Sequence, residues 1–139
     1  MRQASWEDCL RDVKAVAFGD LHLEDLKEFR IQRLATIGVG ALFPLWGRDT
    51  TQLAHDIIDR GYKATLVSID ASALDPQMLG RPYDQDLLDD LPPGVDPCGE
   101  NGEFHTFVSS CPGFSRDIEV TAGEVQKYGG FPGLRLMPS

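Results

Sequence analysis

A chain of 139 residues, 42% of them hydrophobic, can bury one ordinary core and is too short for two large domains. Its formal charge of -9 leaves no basic surface to hold a phosphate backbone, so no nucleic-acid partner is expected. Charges run through MRQASWEDCLRD, and the longest apolar run, IGVGALFPLW, is broken by glycine and proline. A signal peptide and a membrane span are therefore not expected, and the chain reads as soluble and cytoplasmic.

The first element is VKAVAFG (13–19), a valine-containing apolar run that ends at Gly19-Asp20, the pattern of a buried strand entering a turn. Between His22 and Ile37, Leu23, Leu26, Leu34 and Ile37 recur on one helical stripe, and Gly38 supplies a stop. Arg30 falls on that stripe, where a charge costs free energy unless it is paired, binds an anion or snorkels to the rim. ALFPLWG (41–47) is a second short strand, with Pro44 ending its regular pairing early. Asp49 followed by Gln52 resembles a capping box, Leu53, Ala54, Ile57 and Ile58 form the apolar face behind it, and Gly61 closes the helix. His55 lies off that face, toward solvent. YKATLVSID (62–70) is a third strand, and the alternation of strand and helix predicts parallel βαβ units.

After Asp70 the pattern changes. The segment from Leu74 to Gly102 is rich in proline and glycine, with one short helix over Asp84 to Leu91, and is long enough to suggest a functional loop. EFHTFVSS (103–110) alternates as a strand, and DIEVTAGEV, a KYGG turn and FPGLRLM form a terminal hairpin. The fold class expected is α/β, a partial parallel layer over residues 1–60 followed by a β-rich α+β portion over residues 61–139, packed as one unit. Cys9, Cys98 and Cys111 have no CxxC spacing, which fits reduced thiols and argues against a metal site.

Two places concentrate chemistry. GENGEFHT (99–106) puts two carboxylates, an asparagine and a histidine beside two glycines at the mouth of a strand. Alternation places Glu103, His105 and Phe107 on one face and Phe104, Thr106 and Val108 on the other. The stretch reads either as a ligand site whose glycines admit close backbone approach or as a turn followed by a solvent-facing strand edge. The second place is the set of strand ends, Gly19-Asp20 and Gly47-Arg48-Asp49, because ligands of open α/β sheets lie beyond the carboxyl ends of the strands. Arg48 ahead of a helix N-terminus suits a phosphate or carboxylate, and Asp49 is equally explained as an N-cap.

VAFGDLHLEDLKEFR, LFPLWGRD, the LDP and LGRPYD segments and GVDPCGENGEFHTFV together resemble the C-terminal part of the diphthine-ammonia ligase-like family of PP-loop ATP pyrophosphatases. The resemblance implies a Rossmann-like, HUP-type parallel layer and an ATP-dependent ligase in which ATP adenylates a carboxylate and ammonia displaces AMP. It also implies that Gly99, Glu100, Asn101, Gly102, Glu103, His105 and Thr106 line the substrate site. In that reading Glu103 orients a cationic or amine group, and Gly19, Asp20, Gly47, Arg48 and Asp49 are nucleotide-proximal. The family's SGGKDS-type loop does not occur in these 139 residues, and their adjacent glycine pair, Gly129-Gly130, sits in the terminal turn.

The resulting expectation is a relative of an amide ligase that is not catalytic alone and acts as a ligand-binding or partner-binding module. The alternative is half of a split ligase, with ATP and Mg2+ bound only when a PP-loop chain complements it; no cofactor is otherwise expected. A strand of the buried type without flanking strands must be covered, either by a homodimer or partner chain, or by a helix over residues 1–12 with Trp6 and Leu10 one turn apart. A lesser alternative is a metal-dependent phosphoesterase using Asp20 and His22 of GDLHL, although His22, His55 and His105 are too few histidines to complete two metal sites.

Overall fold

The computed structural model describes residues 12–129 and 131–139. The N-terminal segment that carries Trp6 and Leu10, on which the expected helical cover falls, lies outside the described residues. The chain divides into two compact units, one ending at Arg48 and one running from Asp49 to Ser139.

Among the described residues, the first unit forms a βαβ motif. β1 (Ala15–Ala17) leads through α1 (Glu24–Ala35) to β2 (Gly40–Leu42), and the two strands pair in parallel, Ala15 opposite Gly40 and Ala17 opposite Leu42. The strands are shorter than the apolar runs that encode them. β2 stops ahead of Pro44, as the missing N–H requires, and Phe43 to Arg48 folds into successive turns. Acidic Glu24 and Asp25 open α1 and Arg33 closes it, charges that suit the helix dipole. Leu34 is its buried residue, whereas Phe29 and Ile31 face solvent. An aromatic series, Phe18 on Phe43 (5.6 Å) and Phe43 on Trp46 (6.1 Å), follows the strand ends, and the Lys27 ammonium sits 3.9 Å from the Trp46 ring centroid.

The second unit holds the core. α2 (Thr50–Asp59) begins at Asp49, whose side chain accepts the Gln52 N–H at 2.8 Å, so the cap read from the sequence is present. β3 (Lys63–Ile69) follows, then a 3-10 turn at Pro76–Met78, α3 (Gln85–Asp90), β4 (Phe104–Ser110), β5 (Val120–Tyr128) and β6 (Phe131–Pro138). The four strands form one sheet in the order β4-β3-β6-β5. The terminal hairpin is present, with Tyr128 opposite Phe131.

One expectation is corrected. The third strand does not extend the parallel layer: β3 lies inside the second sheet, antiparallel to β4 on one side and to β6 on the other. Strand-helix alternation signals a parallel crossover only when the next strand returns to the same sheet, and β3 instead takes its partners from later in the chain. The side of β3 that carries Ala64, Leu66 and Ile69 packs with Ala54, Leu74, Met78, Tyr83, Leu87 and Phe104 into a buried cluster. Ile57 and Ile58 of α2, Leu88 of α3 and Leu91 just after it close over it.

Candidate functional site

The GENGEFHT stretch belongs to a loop whose construction starts at Asp96. Pro97 fixes the backbone after it, and Asp96 Oδ1 accepts the N–H of Cys98 at 2.8 Å and of Glu100 at 3.4 Å, an Asx turn. The Asp96 carbonyl takes the Gly99 N–H, and the Gly99 carbonyl takes the Gly102 N–H, so two tight turns follow each other. Gly99 has φ +65°, and a Cβ there would meet the Phe104 carbonyl oxygen at 2.7 Å and its ring at 3.2 Å. Only glycine fits that position.

Glu103 closes the loop. It is buried, 8% exposed; Oε1 accepts the Asp96 N–H at 3.0 Å and the Asn101 side-chain amide at 3.1 Å, and Oε2 accepts the Asn101 N–H at 3.0 Å. Burial pushes this carboxyl up. The N–H groups of Asp96, Asn101 and Glu103 itself, with the Asn101 amide, outweigh that and hold it below the ordinary glutamate range. The Glu103 carbonyl accepts the Asp70 N–H at 2.8 Å, which ties the loop to the end of β3. Tyr83 donates its hydroxyl to the Pro97 carbonyl at 2.6 Å, and its ring lies 6.3 Å from that of Phe104. Burial, with Cys98 and Asp96 nearby, pushes the phenol well above its usual range, so it stays a donor. Cys98 Sγ donates to the Thr50 carbonyl at 3.3 Å, pinning the loop to the first turn of α2.

Gly99, Glu100, Asn101, Gly102 and Glu103 are thus brought into one small loop. The facing expected from alternation is revised: β4 begins at Phe104, Glu103 turns inward beneath the loop, and His105 and Thr106 are exposed on the strand. The reason is local, because the loop N–H groups need an acceptor and Glu103 supplies it. The register between β3 and β4 also shifts here, with Thr106 opposite Leu66 and His105 opposite Ser68. The N–H groups of Asp96, Cys98, Gly99, Glu100 and Asn101 are committed to Asp96 and Glu103, and that of Gly102 to the Gly99 carbonyl. What the loop offers outward is Asn101 and Gly102, with His105 and Thr106 exposed on the strand it enters. Asp96 and Tyr83, which organise the loop, escaped the sequence reading; the Asp-Pro pair ahead of the glycines was the available signal for Asp96.

In the first unit, Asp20 follows β1 and is buried. Its carboxylate faces the Arg30 guanidinium side by side, Oδ1 to Nη2 at 3.2 Å and Oδ2 to Nε at 2.6 Å, the second contact misaligned for a hydrogen bond but close as an ion pair. Arg30 also covers the Phe18 ring at 4.4 Å. The charge on the helix stripe is therefore paired, and Asp20 is occupied by it. Gly47, at φ +75°, donates its N–H to the Leu21 carbonyl at 2.8 Å, which holds the second strand-end loop against the first. Arg48 is exposed at the end of this unit, while Asp49 is spent on the α2 cap. Among the described residues no group of three or more His, Cys, Asp or Glu side chains is placed to hold a metal ion, and no helix is long and apolar enough to cross a membrane.

Comparison with known proteins bears out the resemblance read from the motifs. Residues 49–134 match the family model described as the diphthamide synthase C-terminal domain. Diphthine–ammonia ligases of Bos taurus and Homo sapiens are each 32% identical to the chain over 120 residues, covering 82% of it and 45% of the relative. The Schizosaccharomyces pombe diphthine–ammonia ligase is 32% identical over 122 residues, covering 84% of the chain and 20% of the relative. The chain therefore spans less than half the length of these curated relatives.

Proposed function

Because the chain belongs to the diphthamide synthase C-terminal domain family, we propose that these residues form a binding module related to an ATP-dependent carboxylate-ammonia ligase. The second unit presents the 96–106 loop toward a ligand or partner, and nucleotide chemistry requires a PP-loop supplied from elsewhere. The diphthine–ammonia ligase names of the relatives make a diphthine-like carboxylate the substrate class to test first. ATP and Mg2+ then belong to the complemented assembly, a cytoplasmic one in this reading.

The observation that carries the partner-dependent part is the open parallel pair. Parallel strands occur almost always in sheets covered on both faces. Here Ala15, Ala17, Gly40 and Leu42 share one exposed face of β1 and β2, with Leu42 56% exposed. Phe29 and Ile31 add exposed apolar surface on α1. A second copy covering that face, burying about 1,200 Å² or more in total, is the commonest arrangement for such a surface. Sedimentation equilibrium at micromolar concentration tests it: a dimer that Leu42→Asp dissociates supports the proposal, and a monomer that Leu42→Asp leaves unchanged counts against it.

A further inference from the structure

A cavity of about 340 Å³ lies in the second unit where α2, α3 and the proline-rich segment after α3 converge, with Pro97 of the 96–106 loop in its wall. That volume is at the lower end of small-molecule sites. Its apolar floor comes from half-buried Leu88, Leu91 and Val95. Its polar groups are Thr51 and His55 on α2 and Gln85 and Asp89 on α3, one turn apart on each helix. His55, placed toward solvent by the helical pattern, is half-buried in this wall.

The chemistry of the lining is lopsided. No lysine or arginine lines the cavity. Pro92, Pro93 and Pro97 contribute no N–H, and the N–H groups of Leu91 and Val95 are already given to the Leu88 and Pro92 carbonyls. The wall therefore offers the Asp89 carboxylate as its charged acceptor, with no lysine or arginine to compete for it. Gln85 donates to Asp89 Oδ1 at 2.7 Å, which orients the carboxylate and leaves Oδ2 for a ligand. Asp86 lies on the same short helix, and the whole chain carries a charge of -9, so an anion is repelled and a cation attracted.

We propose that this cavity binds a small organic cation, an ammonium group on a short apolar body. The ammonium meets Asp89, with Thr51 and His55 as further polar contacts, and the hydrocarbon covers Leu88 and Val95. The proposal does not depend on the ligase-related reading, because the cavity's polar lining contains none of the residues assigned there.

The test is a titration of the full 15N-labelled chain with n-butylammonium, butyrate serving as the anionic comparator. Saturable amide shifts at Thr51, His55, Asp89 and Val95 with n-butylammonium, and none there with butyrate, are expected. Asp89→Asn, at an exposed position, should weaken binding about tenfold, since it removes one charge-assisted contact. Thr51→Lys should do the same by placing a competing cation in the wall. Equal response to butyrate, shifts spread over the acidic surface, or unchanged affinity in both variants would overturn the proposal.

Discussion

Replacing Glu103 by glutamine changes almost no volume and reverses one hydrogen-bonding edge. In the native loop its carboxylate accepts three N–H groups at 3.0 to 3.1 Å, two from backbone and one from the Asn101 side chain. The amide oxygen of glutamine can keep Asp96 N–H and Asn101 Nδ2, but its NH2 then faces the Asn101 N–H, donor against donor. A hydrogen bond to a charged group contributes about 1.5–3 kcal/mol, against about 1 for a neutral one. Losing one such bond and weakening two sets the cost at about 2–3 kcal/mol, reduced if the loop opens to water. Urea unfolding followed by tryptophan fluorescence or circular dichroism reads the global part. Hydrogen exchange at the amides of Asp96 and Asn101 reads the local part, where acceleration of about 30-fold corresponds to 2 kcal/mol. Because the folded-state pKa of Glu103 is depressed, its contribution is present above the unfolded-state value and is lost as pH falls through the folded-state one. Protection of those two amides, relative to their intrinsic exchange rates, should therefore fall only below the ordinary carboxylate range in the native chain, and lose that pH dependence in Glu103→Gln. Native-like stability together with native-like protection of both amides in Glu103→Gln would show that the carboxylate does not hold the loop.

Gly99→Ala should destabilise by about 2 kcal/mol or more, since it adds a steric clash with Phe104 to the cost of a left-handed backbone; Gly102→Ala, with φ +86° and open space around it, should show only the backbone cost of about 1 kcal/mol by the same unfolding assay. Arg30→Met leaves Asp20 buried without its partner and should cost about 3 kcal/mol, while adding Asp20→Asn should recover much of the loss in a double-mutant cycle. Asp49→Ala removes the α2 cap and should cost about 1 kcal/mol in thermal or urea unfolding.

The legible parts of this chain were those fixed by short-range chemistry. The Asp49 cap, the Pro44 stop, the short helix ahead of Pro92 and the terminal hairpin all depend on a few neighbouring residues, and each is present. The destination of β3 was not legible, because KATLVSI reads equally as a parallel or antiparallel strand and its partners lie more than thirty residues later. The helical pattern favours Arg30 snorkelling at the rim of its stripe; the structure pairs it with Asp20 instead, ten residues away on a different element, which helical angle alone does not reach. At GENGEFHT strand alternation misplaces one side chain, that of Glu103. Alternation assumes that the strand includes Glu103, whereas unsatisfied loop N–H groups draw that side chain inward and leave His105 exposed.

The most direct measurement is ATP-dependent pyrophosphate release, first by this chain alone and then with a PP-loop-bearing chain and a diphthine-like substrate added. The 139 residues contain no glycine-rich phosphate loop to neutralise the charge that develops in adenylyl transfer, so the chain alone should release none above the buffer control. Release by the isolated chain that Arg48→Ala abolishes would contradict the binding-module reading outright, and turnover that appears only in the mixture would make these residues a catalytic half instead.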